Sequence, residues 1–226
     1  MATRNAWNTP DLTADGQLLI GSSAGRPSAA TITAGSANVT VTNGSGSITV
    51  ATVSSNSNWI KISTATASVS ATIDFTGLSS TYHVYKVVIS NLQPATDTVT
   101  LYFRTSTNNG SSYDAAASDY QWQGILTTTA DNNPSVDNAD SEIHLTSSLG
   151  TAANENCNLE IIIYDPSSSE YTKIVSEAVY KNTSTVRQVF EAGGYRQSAT
   201  AVNAIRFLMS SGNISTGNFV LYGLET

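Results

Sequence analysis

The apolar residues of this chain recur at every second position along most of its length, and that alternation is the strongest constraint on its fold. A strand turns successive side chains to opposite faces, so period two with β-branched residues reads as half-buried β-structure. Runs of this kind are Val39-Thr40-Val41, Ser47-Ile48-Thr49-Val50, the continuous Ser68–Phe75, Val84–Ile89 and Thr98–Phe103. They continue with Leu159–Tyr164, Lys173-Ile174-Val175, Val186–Phe190, Ala204–Leu208 and Asn218–Tyr222. Turn signals separate them: Asn43-Gly44, Asn109-Gly110, Asp165-Pro166, Gly193-Gly194 and Ser211-Gly212. Asn-Gly supplies the positive φ angles of a tight hairpin. No window carries i, i+3, i+4 periodicity with caps. The expected fold is all-β.

Charged residues are 12% of the chain and apolar ones 40%, the reverse of a disordered composition. The net charge of -7 offers no basic stripe to neutralise phosphates, and Arg4, Arg26 and Arg104 are isolated, so no nucleic acid partner is expected. The single cysteine, Cys157, excludes an intrachain disulfide framework and any multi-cysteine metal site. His83 and His144 are the only histidines and read as strand-edge residues. The opening Met1–Trp7 lacks the apolar core, about 7–15 residues, of a secretory signal. The longest apolar run, Ile161–Tyr164, is far short of the roughly 20 residues of a membrane helix. The expectation is a soluble protein made in a cytoplasm, without membrane insertion.

The character of the sequence changes near residue 55. Residues 1–55 are Gly/Ser/Ala/Thr-rich with few large side chains, whereas aromatics recur from Trp59 onward. A few short strands bury too little to offset an ordering cost of about 1–2 kcal/mol per residue. Leu18, Leu19, Ile20, Ile32, Val39, Val41, Ile48 and Val50 are therefore expected to bury against copies of themselves, the alternative being a flexible leader that never orders. Residues 56–226, with strands every 8–15 residues or so, suffice for a β-sandwich of jelly-roll type.

Several stretches resemble tailed-bacteriophage virion fibre proteins. Asp15-Gly16-Gln17-Leu18-Leu19-Ile20-Gly21-Ser22 and Arg26-Pro27-Ser28-Ala29-Ala30-Thr31-Ile32-Thr33-Ala34-Gly35 are similar to a recurring fibre segment, continued by Val39–Val50. Leu101–Tyr113 and Asn203–Ile214, running into Gly217–Gly223, resemble distal domains of such proteins. The resemblance covers about a third of the chain and is not catalytic. It implies a homotrimeric fibre or spike on the virion, assembled in the host cytoplasm. The N-terminal segment would attach to other virion proteins of tail, collar or capsid. The C-terminal sandwich would meet a host-surface glycan. Other readings are a capsid decoration or head fibre without a receptor, and a glycan depolymerase.

Aromatics beside polar turns are the candidate ligand residues: Tyr113, Tyr120 and Trp122, with Asn108 and Asn109 as hydroxyl-binding amides. Tyr164 and Trp59 have similar settings, and packing in the core is the plainer role for any of them. Asp131, Asn133, Asp137, Asp140 and Glu142 form the densest oxygen cluster. A loop carrying them would suit Ca²⁺, although Asx-rich loops more often cap their own backbone. No cofactor is otherwise expected. A depolymerase would need two of Glu160, Asp165, Glu142 and Asp74 about 5–10 Å apart. No Gly-x-Ser-x-Gly elbow is present, and Cys157 has no neighbouring cation. Asn-x-Ser/Thr triplets such as the one at Asn38 follow from composition alone. No catalytic residue is assigned, and no enzyme activity is expected.

Overall fold

The computed structural model describes residues 12–20, 27–35, 39–52, 59–184 and 186–225. Residues 1–11, Gly21, Ser22, Arg26 and Asn38, which enter the sequence reading, lie outside them. The described residues form strands, turns and loops, with no helix. The chain divides into two compact units, Met1–Asn56 and Ser57–Thr226.

The first unit contains two antiparallel hairpins. Strand β1 (Gln17–Ile20) pairs with β2 (Ser28–Thr31), and β3 (Val39–Gly44) with β4 (Ser47–Thr52). The second turn is Ser45-Gly46, with Gly46 at φ 72°; Asn43 and Gly44 end the strand instead of forming the turn. Not one described side chain of this unit is buried within the chain. Leu18, Leu19, Ile20, Ile32 and Val50 are exposed, and Val39, Val41 and Ile48 are half-covered.

The second unit is a two-sheet sandwich. Its twelve strands are β5 (Trp59–Ser70), β6 (Thr72–Thr76), β7 (Val84–Pro94), β8 (Leu101–Ser106), β9 (Tyr120–Thr127), β10 (Asn132–Asp140), β11 (Ile143–His144), β12 (Cys157–Tyr164), β13 (Lys173–Lys181), β14 (Arg187–Arg196), β15 (Ala204–Met209) and β16 (Ile214–Leu224). The large sheet runs β10-β9-β14-β13-β12-β7-β16-β5, and the small one β11-β8-β15-β6. The half-sheet β5-β16-β7-β12 and the small sheet interleave as a jelly roll does. The four remaining strands, β9, β10, β13 and β14, extend the large sheet beyond that frame. They enter as two insertions, one between β8 and β11 and one between β12 and β15.

Alternation explains the packing. Tyr85, Val87 and Ile89 of β7, Leu159, Ile161 and Ile163 of β12, and Phe219 and Leu221 of β16 point inward. They meet Leu101 and Phe103 of β8 and Ile205 and Phe207 of β15 from the other sheet. Phe207 touches Phe219 across the two layers, ring centroids 5.5 Å apart. Cys157 is fully buried, and burial pushes its thiol well above the ordinary pKa range, so it packs as a small apolar residue.

Two sequence expectations are corrected here. Ser68–Phe75 is two strands in different sheets; the chain crosses between them at Ala71, with Val69 at φ 54° just before the corner. Gly193-Gly194 lies inside β14 and is no turn. A Cβ on Gly194 would come within 2.8 Å of the Trp122 Cβ, its ladder partner on β9, and of the Gln121 carbonyl oxygen, so the glycine lets the two strands close up there.

Candidate functional site

The aromatic and amide candidates are structural. Tyr120 is fully buried, and Thr105 N–H donates to its hydroxyl at 2.7 Å, tying β9 to β8. Trp122 is 5% exposed, and its indole N–H donates to Asp140 Oδ2 at 2.9 Å. His144 stacks between Trp122 and Tyr102, at centroid distances of 4.3 and 4.6 Å. The Arg206 guanidinium lies 3.9 Å from the centre of the Tyr113 ring and bonds Asp74 through both Nε and Nη2, at 2.8 and 2.7 Å. Burial, then the Asp74 charge, pushes the Tyr113 phenol up to about 12. Asn108 spends its side chain on Ser106 and Ser112, and Asn109 Oδ1 accepts from Gly77 N–H at 2.9 Å. These bonds occupy both heteroatoms of the Asn108 amide and the Asn109 oxygen and tie the Asn109-Gly110 turn to its surroundings, while both residues stay exposed.

The acidic segment is an edge strand where a loop was expected. Thr128 closes the turn, accepting from Ala130 and Asp131 N–H, and β10 then pairs with β9 from Asn132 onward. Asp131 and Asp137 are six residues apart along an extended chain, about 20 Å, so they cannot share one ion with Asn133 between them. Asp140 and Glu142 do gather, with His144, within 4.8 Å. Their oxygens already hold donors: Arg104 Nη2 and Ser141 Oγ at Glu142 Oε2, Trp122 Nε1 at Asp140 Oδ2. Calcium prefers six to eight oxygens, and this compensated cluster is a poor match for it.

The carboxylates considered for hydrolysis are dispersed. Asp74 is held by Arg206, Glu142 by Arg104, and Asp165 accepts from His83 Nδ1 at 2.8 Å. Glu160 lies 3.9 Å from Lys86, whose ammonium also sits 4.5 Å over the Trp59 ring.

Among the described residues, concave ground lies elsewhere, on the outer face of the large sheet. Two adjoining hollows of about 790 and 490 Å³ share Gln123, Val136, Val175 and Gly193. The ladder registers give the face its plan. One row runs Glu160, Glu177, Glu191, Ile125, Pro134 across β12, β13, β14, β9 and β10. The next, two residues along each strand, runs Ile162, Val175, Gly193, Gln123, Val136 and forms the floor. The third runs Tyr164, Lys173, Tyr195, Gln121. The groove thus has a mostly apolar floor between a row that opens with three glutamates, the acidic bank, and a row that carries Tyr164 and Tyr195 beside Lys173 and Gln121, the aromatic bank.

Its aromatic bank is preset. Tyr171 stacks on Tyr195 at 5.6 Å and 15°, the Tyr195 hydroxyl donates to Gln121 Oε1, and Gln121 Nε2 donates to Gln197 at 3.1 Å. Tyr164 and Tyr171 are 42% and 45% exposed, and Val136 and Val175 are 65% and 46% exposed. Gly193 keeps the floor low: a Cβ there would meet nothing nearer than 3.7 Å. Among the candidates read from sequence, Tyr164, Glu160 and the edge of Trp122 line this groove. Tyr195 had one legible signal, an aromatic at an outward position of a strand whose inward positions are also apolar; Tyr171, which precedes β13, and the amides Gln121 and Gln123 had none.

No family model, curated protein or solved structure matches the chain.

Proposed function

We propose that the protein is a non-enzymatic attachment protein of a phage virion, a fibre or spike that assembles as a homotrimer through its first unit and adheres to host-surface glycan through the groove. The observation that carries this reading is the position of the groove. It is built mainly on β9, β10, β13 and β14, the strands that the jelly-roll frame does not require, and sites grafted onto a frame are where function resides. Pyranose rings offer apolar C–H faces to exposed tyrosines and hydroxyls to the glutamine amides beside them. The first unit supports the assembly: apolar residues on short hairpins, none buried within one chain, call for copies to cover them. Three shallow sites per trimer and several trimers per particle raise avidity by about 10²–10⁴ without a strong single site.

The test is binding of labelled full-length protein to a panel of bacteria, with its mass in solution measured by light scattering. Strain-selective binding by a species of three chain masses, lost on Gly193→Leu, is the expected result. A folded trimer that binds no strain, its host included, would replace this reading by that of a capsid decoration. Release of reducing ends from host polysaccharide would replace it by a depolymerase.

A further inference from the structure

Resting on that reading of the groove, we infer that its ligand is a cationic glycan, a chain of amine-bearing sugars, in preference to a neutral or acidic one. Glu160, Glu177 and Glu191 stand directly opposite one another on three adjacent strands. At a strand spacing of about 4.8 Å they line up three carboxylates within about 10 Å. Like charges facing each other across a ladder destabilise a sheet. Lys86 compensates only the first of them, from 3.9 Å; Glu177 and Glu191 have no ion pair among the described residues. The other bases of this face stand off from the row: Lys173 and Lys181 lie four residues from Glu177 along β13 and Arg187 four residues from Glu191 along β14, each about 13 Å away, and the Lys173 ammonium is turned to the Tyr171 carbonyl at 3.3 Å.

Charge complementarity therefore sets the sign of the ligand, and the floor and the tyrosines set its kind. An ammonium on a sugar can meet the acidic bank while the ring lies over Val175 and Gly193 against the aromatic bank. An extended basic peptide fits less well. Peptides add to a sheet through its edges, where backbone groups are free. On this face the N–H and C=O groups of β12, β13 and β14 are consumed by neighbours on both sides.

The full-length protein is titrated with a β-1,4-linked glucosamine hexamer, its fully N-acetylated counterpart and a decalysine peptide. The free-amine hexamer is expected to bind at least tenfold more tightly than the acetylated one and the peptide. Its affinity falls at least tenfold in the Glu177→Gln/Glu191→Gln double variant, which keeps shape and removes repulsion, so its thermal midpoint does not fall. Glu170→Gln removes an exposed charge outside the groove and leaves binding unchanged. Equal binding of the two hexamers, or decalysine binding as tight as glucosamine, would overturn the cationic-glycan assignment while leaving the adhesin intact. No hexamer binding together with cell binding that survives Gly193→Leu would overturn the groove itself. A change of oligomeric mass in Gly193→Leu would make the face an interface between copies and overturn both.

Discussion

Trp122 donates its indole N–H to Asp140 at 2.9 Å, so a residue with the look of a ligand platform and a residue with the look of a metal ligand satisfy each other. The indole is buried, and its one polar atom needs a partner. Trp122→Phe removes the donor and part of the stack on His144. The expected loss is about 1–3 kcal/mol, read as a lower denaturant midpoint. An unchanged midpoint would mean that the bond contributes nothing.

His144 makes the same corner sensitive to acid. Burial holds its pKa below the ordinary imidazole value, against the opposing pull of Asp140, Glu142 and Asp137. The unfolded chain therefore takes up this proton first as pH falls. It binds more protons than the folded chain below about pH 6.5, and stability declines from there downward. His144→Phe keeps an aromatic in the stack without the titration. Its melting temperature should change less than that of the wild type between about pH 7 and about pH 5. Parallel curves would count against this account.

Val69 carries the clearest backbone strain. It is β-branched, 62% exposed and at φ 54°, where a side chain costs roughly 1–2 kcal/mol. Val69→Gly should raise stability by about 1 kcal/mol, for the strain relieved exceeds the extra entropy of the unfolded glycine. That corresponds to a melting temperature about 2–4 °C higher for a chain of this size.

Ser176 tests the inner face of the same extension. Its hydroxyl is buried without a hydrogen-bond partner, at a position flanked in the ladder by Ile161 and Ala192. Ser176→Ala removes an unsatisfied group at little cost in volume. A gain of about 1 kcal/mol in urea unfolding is expected.

The first unit predicts an assembly defect. Leu19→Glu with Val50→Glu puts carboxylates on two exposed apolar positions of the hairpins. The full-length variant should scatter light as a single chain while the near-UV spectrum of the sandwich aromatics persists. A variant that retains three chain masses would place the assembly contacts elsewhere.

Strand identity was legible because alternation is local, and most elements fall where the pattern puts them. What the pattern misses is where a strand changes partners. Alternation runs unbroken from Ser68 to Phe75, although Ser68 and Phe75 serve different sheets, because both sheets demand the same period. Gly193-Gly194 carries turn chemistry, but here it answers packing: Gly194 lets β14 close up on Trp122 of β9 and Gly193 lowers a floor. The acidic segment follows the same lesson, since its Asn and Asp residues suggest a loop and ladder pairing with β9 overrides them. The groove itself was out of reach. Glu160, Glu177 and Glu191, or Tyr164 and Tyr195, become neighbours only through registers that no single stretch of sequence records.

The two insertions carry a further consequence for how such a chain can diversify. Strands β9 and β10 enter at one point of the frame and β13 and β14 at another, yet β9 and β14 zip together along eight paired positions. Neither hairpin is a complete cassette: a graft that exchanged one alone would face its partner with foreign side chains and an unmatched register. On the proposed adhesin reading, specificity on this face is inherited as a pair, and recombination that respects residues 120–140 and 173–196 together is the natural route to a new one.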